Sequence, residues 1–299
     1  VTVGGRGGSV IKVTSLAADG PGSLREALAQ AGPRIVVFEV GGVIDLEGKE
    51  LRVAEPFVTI AGQTAPSPGI TLIKGGIVIG THDVIIRHLR VRPGDLGEPL
   101  GSGRDIDAIT AWGAANVIID HNSLTWATDE NLSASGKRFI GDTAEEWRRA
   151  ASHNITFSNN IIAEGLSYST HAKGEHSKGS LIHDNTSGLA IVGNLYAHNF
   201  ERSPLLKGGV YAALINNFIY DPGQRAVHYN LQGLEWAGMP HEPGRLTMIG
   251  NVMRGGPSTH GAVPMLMLGG DGDLQLHAKD NIAIDRYGAP LPLLGRYTT

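Results

Sequence analysis

The chain has 299 residues, of which 25 are Lys or Arg and 29 are Asp or Glu, so its formal net charge is −4 at pH 7. This balance excludes the global basic field that attracts nucleic acids without sequence preference. The chain contains no cysteine and no apolar run long enough to cross a membrane, and it begins at Val1 without a signal peptide. We therefore expect no nucleic-acid partner and no membrane partner. A secreted protein, extracellular or periplasmic, whose leader is absent from the given chain is compatible with these features.

The first predicted element is a short helix near the start of the chain. Ser23 and Glu26 form the Ser-x-x-Glu pattern of a capping box, residues 27–30 favour helix, and Gly32-Pro33 ends it. The helix precedes the repeated strands described below. We therefore expect it to cover the open apolar end of the domain, as terminal caps do in repeat proteins.

Short apolar strands recur along the rest of the chain, and most of them end at an asparagine. Residues 84–89 and 117–122 set the pattern, and the same position then carries Asn122, Asn160, Asn194, Asn217, Asn251 and Asn281. A period of roughly two dozen residues or more with variable loops indicates a β-solenoid, in which each repeat forms one coil. Asparagine at a strand corner tolerates a left-handed backbone, and stacked amides can hydrogen-bond from coil to coil. The alternative is a coincidental set of Asn-rich turns between antiparallel strands.

Composition favours the all-β class. Glycine is frequent, with 42 residues, and no long segment in the middle of the chain has helical periodicity. No linker interrupts the repeat, so we predict a single domain over residues 1–299. A second helix is predicted for residues 143–151, as an insertion between coils. Its charged side chains are typical of a solvated helix face and are Glu145, Glu146, Arg148 and Arg149.

An acidic group of residues is followed by widely spaced basic residues. The acidic residues are Asp105, Asp107, Asp129 and Glu130, and the basic ones are Lys173, Lys178, Arg202 and Lys207. The two acidic positions lie one repeat apart, and so do Lys178 and Arg202. If each repeat is one coil, these side chains align on one wall of the solenoid. Such a wall can hold a divalent cation and an acidic sugar together.

Several of these residues have alternative interpretations. Asp105 and Asp107 could cap a turn, and Arg202 could pair with a neighbouring acid on a solvated face. Trp126 could belong to the core or stack on a sugar beside the acids. Three residues of the Gly/Ser-containing loop 165–179 could be exposed side chains or could contact a substrate, namely His171, Lys173 and His176.

A series of ordered motifs resembles the pectate lyase family over nearly the whole chain. These motifs include Gly-Gly-Arg-Gly-Gly at 4–8, Gly-Pro-Gly-Ser-Leu-Arg at 20–25, Thr-Ile-Ala-Gly-Gln-Thr-Ala-Pro at 59–66, Asp-Ala-Ile at 107–109, Ile-Asp-His at 119–121 and Arg-Ser-Pro at 202–204. The resemblance implies a right-handed parallel β-helix that cleaves polygalacturonate by calcium-assisted β-elimination. The expected partner is therefore this acidic polysaccharide. We expect the protein to be a monomer.

The resemblance also assigns roles to individual residues. Arg202 opens the Arg-x-Pro-x-x-Arg motif whose first Arg is the family's catalytic base. Lys207 stands where the motif closes, so a charge is kept while a bidentate fork is lost. Lys178 matches a lysine that contacts substrate, with His183 where Gly usually stands. For substrate contacts we select Lys207 from this motif, the loop residues Lys173, His171 and His176, and Trp126, which lies beside the acidic residues.

The calcium ligands implied by the resemblance are two acidic elements on adjacent coils. Asp105 and Asp107 match the first element, and Asp129 begins the second. The family expects another carboxylate four residues beyond Asp129, where this chain has Ser133. Glu130 could take its place, so the predicted ligands are Asp105, Asp107, Asp129 and Glu130.

A calcium site beside Lys and Arg side chains suits β-elimination from a uronate. The C5 proton of a uronate lies beside a carboxylate whose charge opposes a second charge, and calcium with Lys or Arg contacts withdraws that charge. Arginine, with a reference pKa of about 12.5 or more, is a poor base, so the role of Arg202 follows from the resemblance alone.

Three other functions remain open from the sequence. A pectin lyase, or a lyase acting on another uronate polymer, would use the same chemistry. A glycoside hydrolase would need carboxylates on either side of a glycosidic bond, which Asp105, Asp107 and Asp129 could supply, but Lys178 and Arg202 would then be unexplained. A noncatalytic glycan-binding β-helix is the third alternative, because of the departures at Ser133 and Lys207. An unsaturated product would distinguish a lyase from the last two.

Overall fold

The computed structural model describes residues 2–176 and 178–298. Its helices are α1 (Leu24–Ala29), α2 (Ala144–Ala150) and α3 (Gly233–Trp236), and a 3₁₀ helix spans Gly62–Thr64. Val1, Ser177 and Thr299, which the single-domain prediction for residues 1–299 includes, lie outside the described residues. Among the described residues, no helix combines the length and the apolar character needed to span a bilayer.

The strands of the described residues are numbered in chain order. They are β1 (Ser9–Val13), β2 (Arg34–Phe38), β3 (Gly42–Asp45), β4 (Leu51–Val53), β5 (Val58–Ala61), β6 (Ile70–Ile73), β7 (Ile77–Ile79), β8 (His82–Arg87), β9 (Leu89–Arg92), β10 (Ile109–Trp112), β11 (Ala115–Asp120), β12 (Ser123–Thr125), β13 (Leu132–Ser135), β14 (His153–Ser158), β15 (Ile161–Ala163), β16 (Leu181–Ile182), β17 (Leu189–Val192), β18 (Leu195–Ala197), β19 (Leu205–Lys207), β20 (Tyr211–Ile215), β21 (Phe218–Tyr220), β22 (Val227–Leu231), β23 (Gly244–Ile249), β24 (Val252–Arg254), β25 (Leu266–Gly270), β26 (Leu274–Lys279), β27 (Ile282–Ile284) and β28 (Leu294–Arg296).

These strands form three parallel sheets that run along the molecule. Sheet A has the order β1-β2-β5-β8-β11-β14-β17-β20-β23-β26, sheet B β3-β6-β9-β12-β15-β18-β21-β24-β27, and sheet C β4-β7-β10-β13-β16-β19-β22-β25-β28. The chain therefore passes from one sheet to the next within each coil, and each strand pairs with the equivalent strand of the next coil. This arrangement confirms the predicted all-β class and the parallel β-helix.

The core lies between the three sheets and follows from strand alternation. In β11, Val117 and Ile119 are buried while Ile118 between them is partly exposed. The parallel register places Ile119 beside Ile86 of the preceding coil and Phe157 of the following one. Because most coils repeat this alternation, inward side chains stack into apolar rows along the domain, although β26 in the last coil is exposed at nearly all of its positions.

The predicted stack of asparagine amides is confirmed at the corner between sheets A and B. Asn160 Oδ1 accepts from the backbone N–H of Asn122 at 2.9 Å and from its Nδ2 at 3.1 Å. The same pair of bonds links each later member to the next, as far as Asn281. The expected left-handed backbone, however, falls one residue earlier, with φ of 57° at His121 and 54° at Asn159. The Asn side chain therefore serves the stack, and its predecessor makes the turn.

Helix α1 closes one end of the core, as predicted. Leu24 and Leu28 are buried in the main apolar cluster, and Ser23 Oγ accepts from the backbone N–H of Glu26 at 3.2 Å. The Glu26 carboxylate accepts from Gly22 at 2.7 Å, so the cap differs from a reciprocal capping box. Arg34 is buried below the helix, where its guanidinium donates to the backbone carbonyl of Leu28 at 2.7 Å. This bond satisfies an acceptor that the helix C-terminus leaves unpaired.

Helix α2 forms within the predicted range, with a complete capping box between Thr143 and Glu146. Arg148, however, lies 4.1 Å above the ring of Tyr211 and pairs with Glu242 at 2.9 Å. Its assignment to a solvated face is therefore wrong. Periodicity within seven residues does not show what a long side chain reaches on a neighbouring coil.

Candidate active site

The outward face of sheet C carries a groove that crosses successive coils. Strand register arranges its outward side chains in two rows, Thr110, Ser133, Leu181, Leu205 and His228 in one, and Trp112, Ser135, His183, Lys207 and Asn230 in the other. Two cavities of about 290 and 360 Å³ meet along these rows and share Asp129 and Glu130. We call the two cavities together the groove. Its acidic end includes Asp105 and Asp107, and its basic end includes Arg202, Lys207 and Arg225.

The predicted acidic and basic residues enter this face on neighbouring coils. The backbone of Ala108, next to Asp107, donates to the carbonyl of Glu130 at 3.0 Å, and Glu130 forms a parallel bridge with Lys178. Strand pairing continues from the coil of Lys178 to that of Arg202. Residues that are distant in sequence therefore line one edge of sheet C, because each begins the same segment of its own coil.

Three carboxylates cluster where the two cavities meet. Asp107, Asp129 and Glu130 each bring one oxygen within 4.8 Å of the others. Burial raises the pKa of Asp107 to about 7, and the charge of Asp129 adds to this effect. Burial also raises the pKa of Glu130 well above its ordinary value, although Arg202 opposes the shift. Buried carboxylates that oppose one another's ionisation are suited to a hard divalent cation such as calcium, because the cation favours all of the charged forms.

The fourth predicted ligand, Asp105, lies outside this cluster. Its side chain is exposed and lines the acidic end of the groove. Ser133, where the resemblance expects a carboxylate, faces the same cavity, and Glu130 beside it supplies the third carboxylate of the cluster.

Arg202 lies directly beside the carboxylate cluster. Its Nη1 donates to Glu130 Oε1, and its Nε is 3.8 Å from Glu201 Oε1. The backbone of Arg202 has a φ of 61°, which is uncommon for a residue other than glycine. The guanidinium is thus fixed between two carboxylates at the point where the acidic and basic ends of the groove meet.

Glu201 is a buried carboxylate surrounded by basic side chains. It pairs with Arg225 Nη1, and Lys178 Nζ lies 3.7 Å from its Oε1. Burial alone would raise the pKa of Glu201, but the surrounding basic groups outweigh burial and lower it. Glu201 therefore stays ionised and holds Lys178, Arg202 and Arg225 together.

Lys178 lies inside the wall, whereas Lys173 and Lys207 line the groove. The Lys178 ammonium donates to Glu175 Oε2 at 2.7 Å and lies 4.6 Å from the ring centre of Phe200. Only 3% of its side chain is exposed. The Lys207 ammonium donates to Gln232 and lies 3.0 Å from Glu235 Oε2.

The two predicted loop histidines both approach Asp129. His176 Nε2 lies 2.9 Å and His171 Nε2 3.7 Å from Asp129 Oδ1. The backbone N–H of Lys173 donates to His171 Nδ1 at 3.1 Å, so the ring proton of neutral His171 is on Nε2, toward Asp129. Burial would raise the pKa of Asp129, but hydrogen bonds, first that of His176, outweigh burial and lower it to about 2. These histidines fix the Asp129 carboxylate, and His176 also lines the groove.

Trp126 is not one of the described residues that line the groove. Its Nε1 donates to Glu164 at 3.0 Å, and Arg92 lies 5.7 Å from its ring centre. The aromatic side chain that lines the acidic end is Trp112, which is 54% exposed. Strand alternation could have identified Trp112 from the sequence, because it lies two residues beyond Thr110 and so faces outward on the same side of the strand.

Groove residues that sequence reasoning also missed include Glu201, Arg225, His228 and Tyr297. The repeat itself contains a signal for Arg225, because this residue follows Arg202 by one coil. Glu201 and His228 have no such signal, since their importance depends on burial and on side chains from other coils.

Comparison with curated proteins identifies relatives over most of the chain. The protein named "Probable pectate lyase C" of Emericella nidulans is 41% identical over 222 residues, which are 74% of this chain and 45% of the relative. The protein of the same name from Aspergillus terreus is 38% identical over 258 residues, which are 86% and 52% of the two chains. The chain thus spans about half the length of these relatives. No protein-family model matches it.

Solved structures agree in fold. The cedar pollen allergen jun a 1 has a TM-score of 0.61 at 18% identity, covering 100% of this chain and 81% of its own. A pectate lyase from Bacillus sp. N165, solved in complex with trigalacturonate, has a TM-score of 0.62 at 15% identity, covering 94% and 84%. At these low identities, the solved structures support only the shared fold. The similarity in sequence is to the curated relatives. By sequence, the chain is similar to about half of the length of the curated proteins named probable pectate lyase C, and it shares its fold with a solved pectate lyase.

Proposed function

We propose that this protein is a pectate lyase that cleaves α-1,4-linked polygalacturonate by calcium-assisted β-elimination. The observation that carries the proposal is the contact of Arg202 with Glu130, a member of the carboxylate cluster, at the junction of the acidic and basic ends of the groove. Cation ligands and a base candidate are thereby adjacent, as an elimination beside a carboxylate requires.

Asp107, Asp129 and Glu130 would hold the calcium ion, with Asp105 at the edge of the same end of the groove. Bound calcium would withdraw negative charge from a uronate carboxylate and so make its C5 proton more acidic. His171 and His176 would keep Asp129 in place for this role, because ligands held by neighbouring hydrogen bonds lose less freedom on binding.

Arg202, in its neutral form, would accept the C5 proton, and the C5–H electron pair would form the C4–C5 double bond. The C4–oxygen bond would break with its electron pair leaving on the oxygen, which would take a proton from solvent, so no water nucleophile is needed. Glu130 and Glu201 orient the guanidinium from two sides. Lys207 and Lys173, with Arg225, would bind the uronate carboxylates along the basic end. Lys178 would act on the developing charge from within the wall, through the network around Glu201.

The arrangement of carboxylates favours a lyase over a hydrolase. A glycosidase needs one carboxyl group on each side of the scissile bond, about 5 to 9.5 Å apart. Here Asp107, Asp129 and Glu130 share one cluster within 4.8 Å, an arrangement that suits a cation better than an acid and a base flanking a bond. The basic end of the groove contributes Lys173, Arg202, Lys207 and Arg225, which suit a polyanion. The predicted monomeric state and secretion remain predictions, as does a sugar-stacking role for Trp126.

The test is an assay of polygalacturonate cleavage that follows ultraviolet absorbance of the unsaturated product. We expect absorbing product with calcium, little in excess chelator, and slower cleavage of highly methylated pectin. New reducing ends without absorbance would indicate a hydrolase. Faster cleavage of the esterified polymer would indicate a pectin lyase, and binding without cleavage would indicate a glycan-binding protein.

A further inference from the structure

Strand β22 presents two polar side chains to the basic end of the groove. His228 and Asn230 both line it, and the register places them beside Leu205 and Lys207 of the preceding coil. They lie one coil beyond the coil of Arg202 and two residues apart on the same face of the strand. Neighbouring strands are about 4.8 Å apart, so this pair lies close to the coil that carries Arg202.

Each of these side chains has a buried polar atom that lacks a hydrogen-bond partner among residues 2–176 and 178–298. The atoms are His228 Nε2 and Asn230 Oδ1, and the two residues are only 3% and 6% exposed. Folded proteins satisfy the great majority of buried polar atoms, so two such atoms on one groove face require an explanation. A bound ligand would supply the missing partners.

The chemistry of the two atoms selects the kind of ligand group. His228 Nδ1 is engaged with Tyr297 Oη at 3.1 Å, which leaves Nε2 as the available ring nitrogen. Burial lowers the pKa of His228 to about 3, so the imidazole is neutral at ordinary pH. A neutral ring nitrogen and an amide oxygen match a hydroxyl group, which can both donate and accept, better than they match a carboxylate.

We propose that His228 and Asn230 form a subsite that binds the hydroxyl groups of the sugar residue next to the one at Arg202. This inference rests on the proposed function, because it takes the groove to bind a galacturonate chain. The carboxylates of that chain would be bound by the basic residues, and its hydroxyl groups by this pair. The subsite would therefore distinguish a galacturonate chain from a polyanion without hydroxyl groups at the matching positions.

The experiment measures trigalacturonate binding by calorimetry in an Arg202→Gln background, so that the ligand is not cleaved. His228→Phe and Asn230→Leu should each weaken binding about three- to tenfold, the size expected for one hydrogen bond. His228→Gln, whose amide nitrogen can replace Nε2, should bind within twofold of the background. His277→Gln, which alters an exposed histidine on sheet A, is the matched control and should change nothing.

Two outcomes separate this inference from the proposed function. If the parent releases unsaturated product while His228→Phe and Asn230→Leu bind trigalacturonate as tightly as the background, the subsite is refuted and the lyase stands. If the parent releases none, the lyase is refuted, and calorimetry alone decides whether the pair binds sugar. Melting temperatures identify a variant that does not fold, in which case the other variant decides.

Discussion

Replacing Asp107 with Asn should stabilise the calcium-free protein at neutral pH while removing its response to calcium. The Asp107 pKa is about 7 in the folded chain against an ordinary value of 3.8, mainly because of burial. Ionisation is thus harder in the folded state than in the unfolded state. A raised carboxyl pKa of this kind costs no stability below about pH 4, and the cost grows as pH rises to about 7.

The size of the expected change in the free energy of unfolding follows from this difference in the pKa of Asp107. About three pH units at roughly 1.4 kcal/mol per unit gives an upper limit of about 4 kcal/mol above pH 7. Asparagine carries no charge, and its side-chain oxygen can still accept the bond that Glu130 N–H donates to Asp107 Oδ1 at 2.9 Å. The variant should therefore melt a few degrees above the parent at pH 8 in chelator and close to the parent at pH 4.

Thermal melting at several pH values, with chelator and with calcium, checks this reasoning. Added calcium should raise the melting temperature of the parent but have little effect on Asp107→Asn, because a cation that binds only the folded state stabilises it. Glu145→Gln on the exposed face of α2 is a control for the loss of one carboxylate. A variant that melts below the parent at pH 8 in chelator would refute the assigned cost of burying Asp107.

Three further predictions concern the base, its support and the asparagine stack. Arg202→Lys should melt like the parent yet lose most of its turnover, because an ammonium does not place a nitrogen where the guanidinium does; near-parental turnover would remove Arg202 from catalysis. Glu201→Gln should lower the free energy of unfolding by about 3 kcal/mol, since Lys178 and Arg225 lose a buried partner, and unchanged denaturant unfolding would contradict this. Asn194→Ala should cost about 1 to 3 kcal/mol by the same measurement, because it leaves the backbone N–H of Asn160 unpaired; a smaller loss than that of an exposed Asn→Ala control would count against the stack.

The fold could be predicted because the same residue type, asparagine, recurs at the same position of successive repeats. Asn122 and its equivalents occupy the same corner in the six coils from Asn122 to Asn281, and that position fixed the phase of the strands around it. The strand periodicity did not reveal which residue of the corner takes the left-handed conformation. His121, Asn159 and Gly193 share that backbone although their side chains differ, so no single residue type marks the position.

The candidate site could be predicted in part. Coil spacing was enough to bring Asp107, Glu130 and Arg202 together, because parallel register converts sequence separation into adjacency. It was not enough to show that Lys178 points into the wall, since a coil position does not determine which partners surround an ammonium. Trp126 was chosen for its nearness in sequence to the acids, whereas a turn between sheets B and C directs it elsewhere.

The asparagine stack has a consequence for how this scaffold can vary. Consecutive members are separated by as few as 23 residues and as many as 38, yet their amide bonds stay between 2.9 and 3.1 Å. The spacing of the coils at this corner is therefore constant, while extra residues form loops in other parts of each coil. Loops can lengthen, shorten or be exchanged around the groove without moving the frame, so the molecule can acquire a different ligand preference while its architecture stays the same.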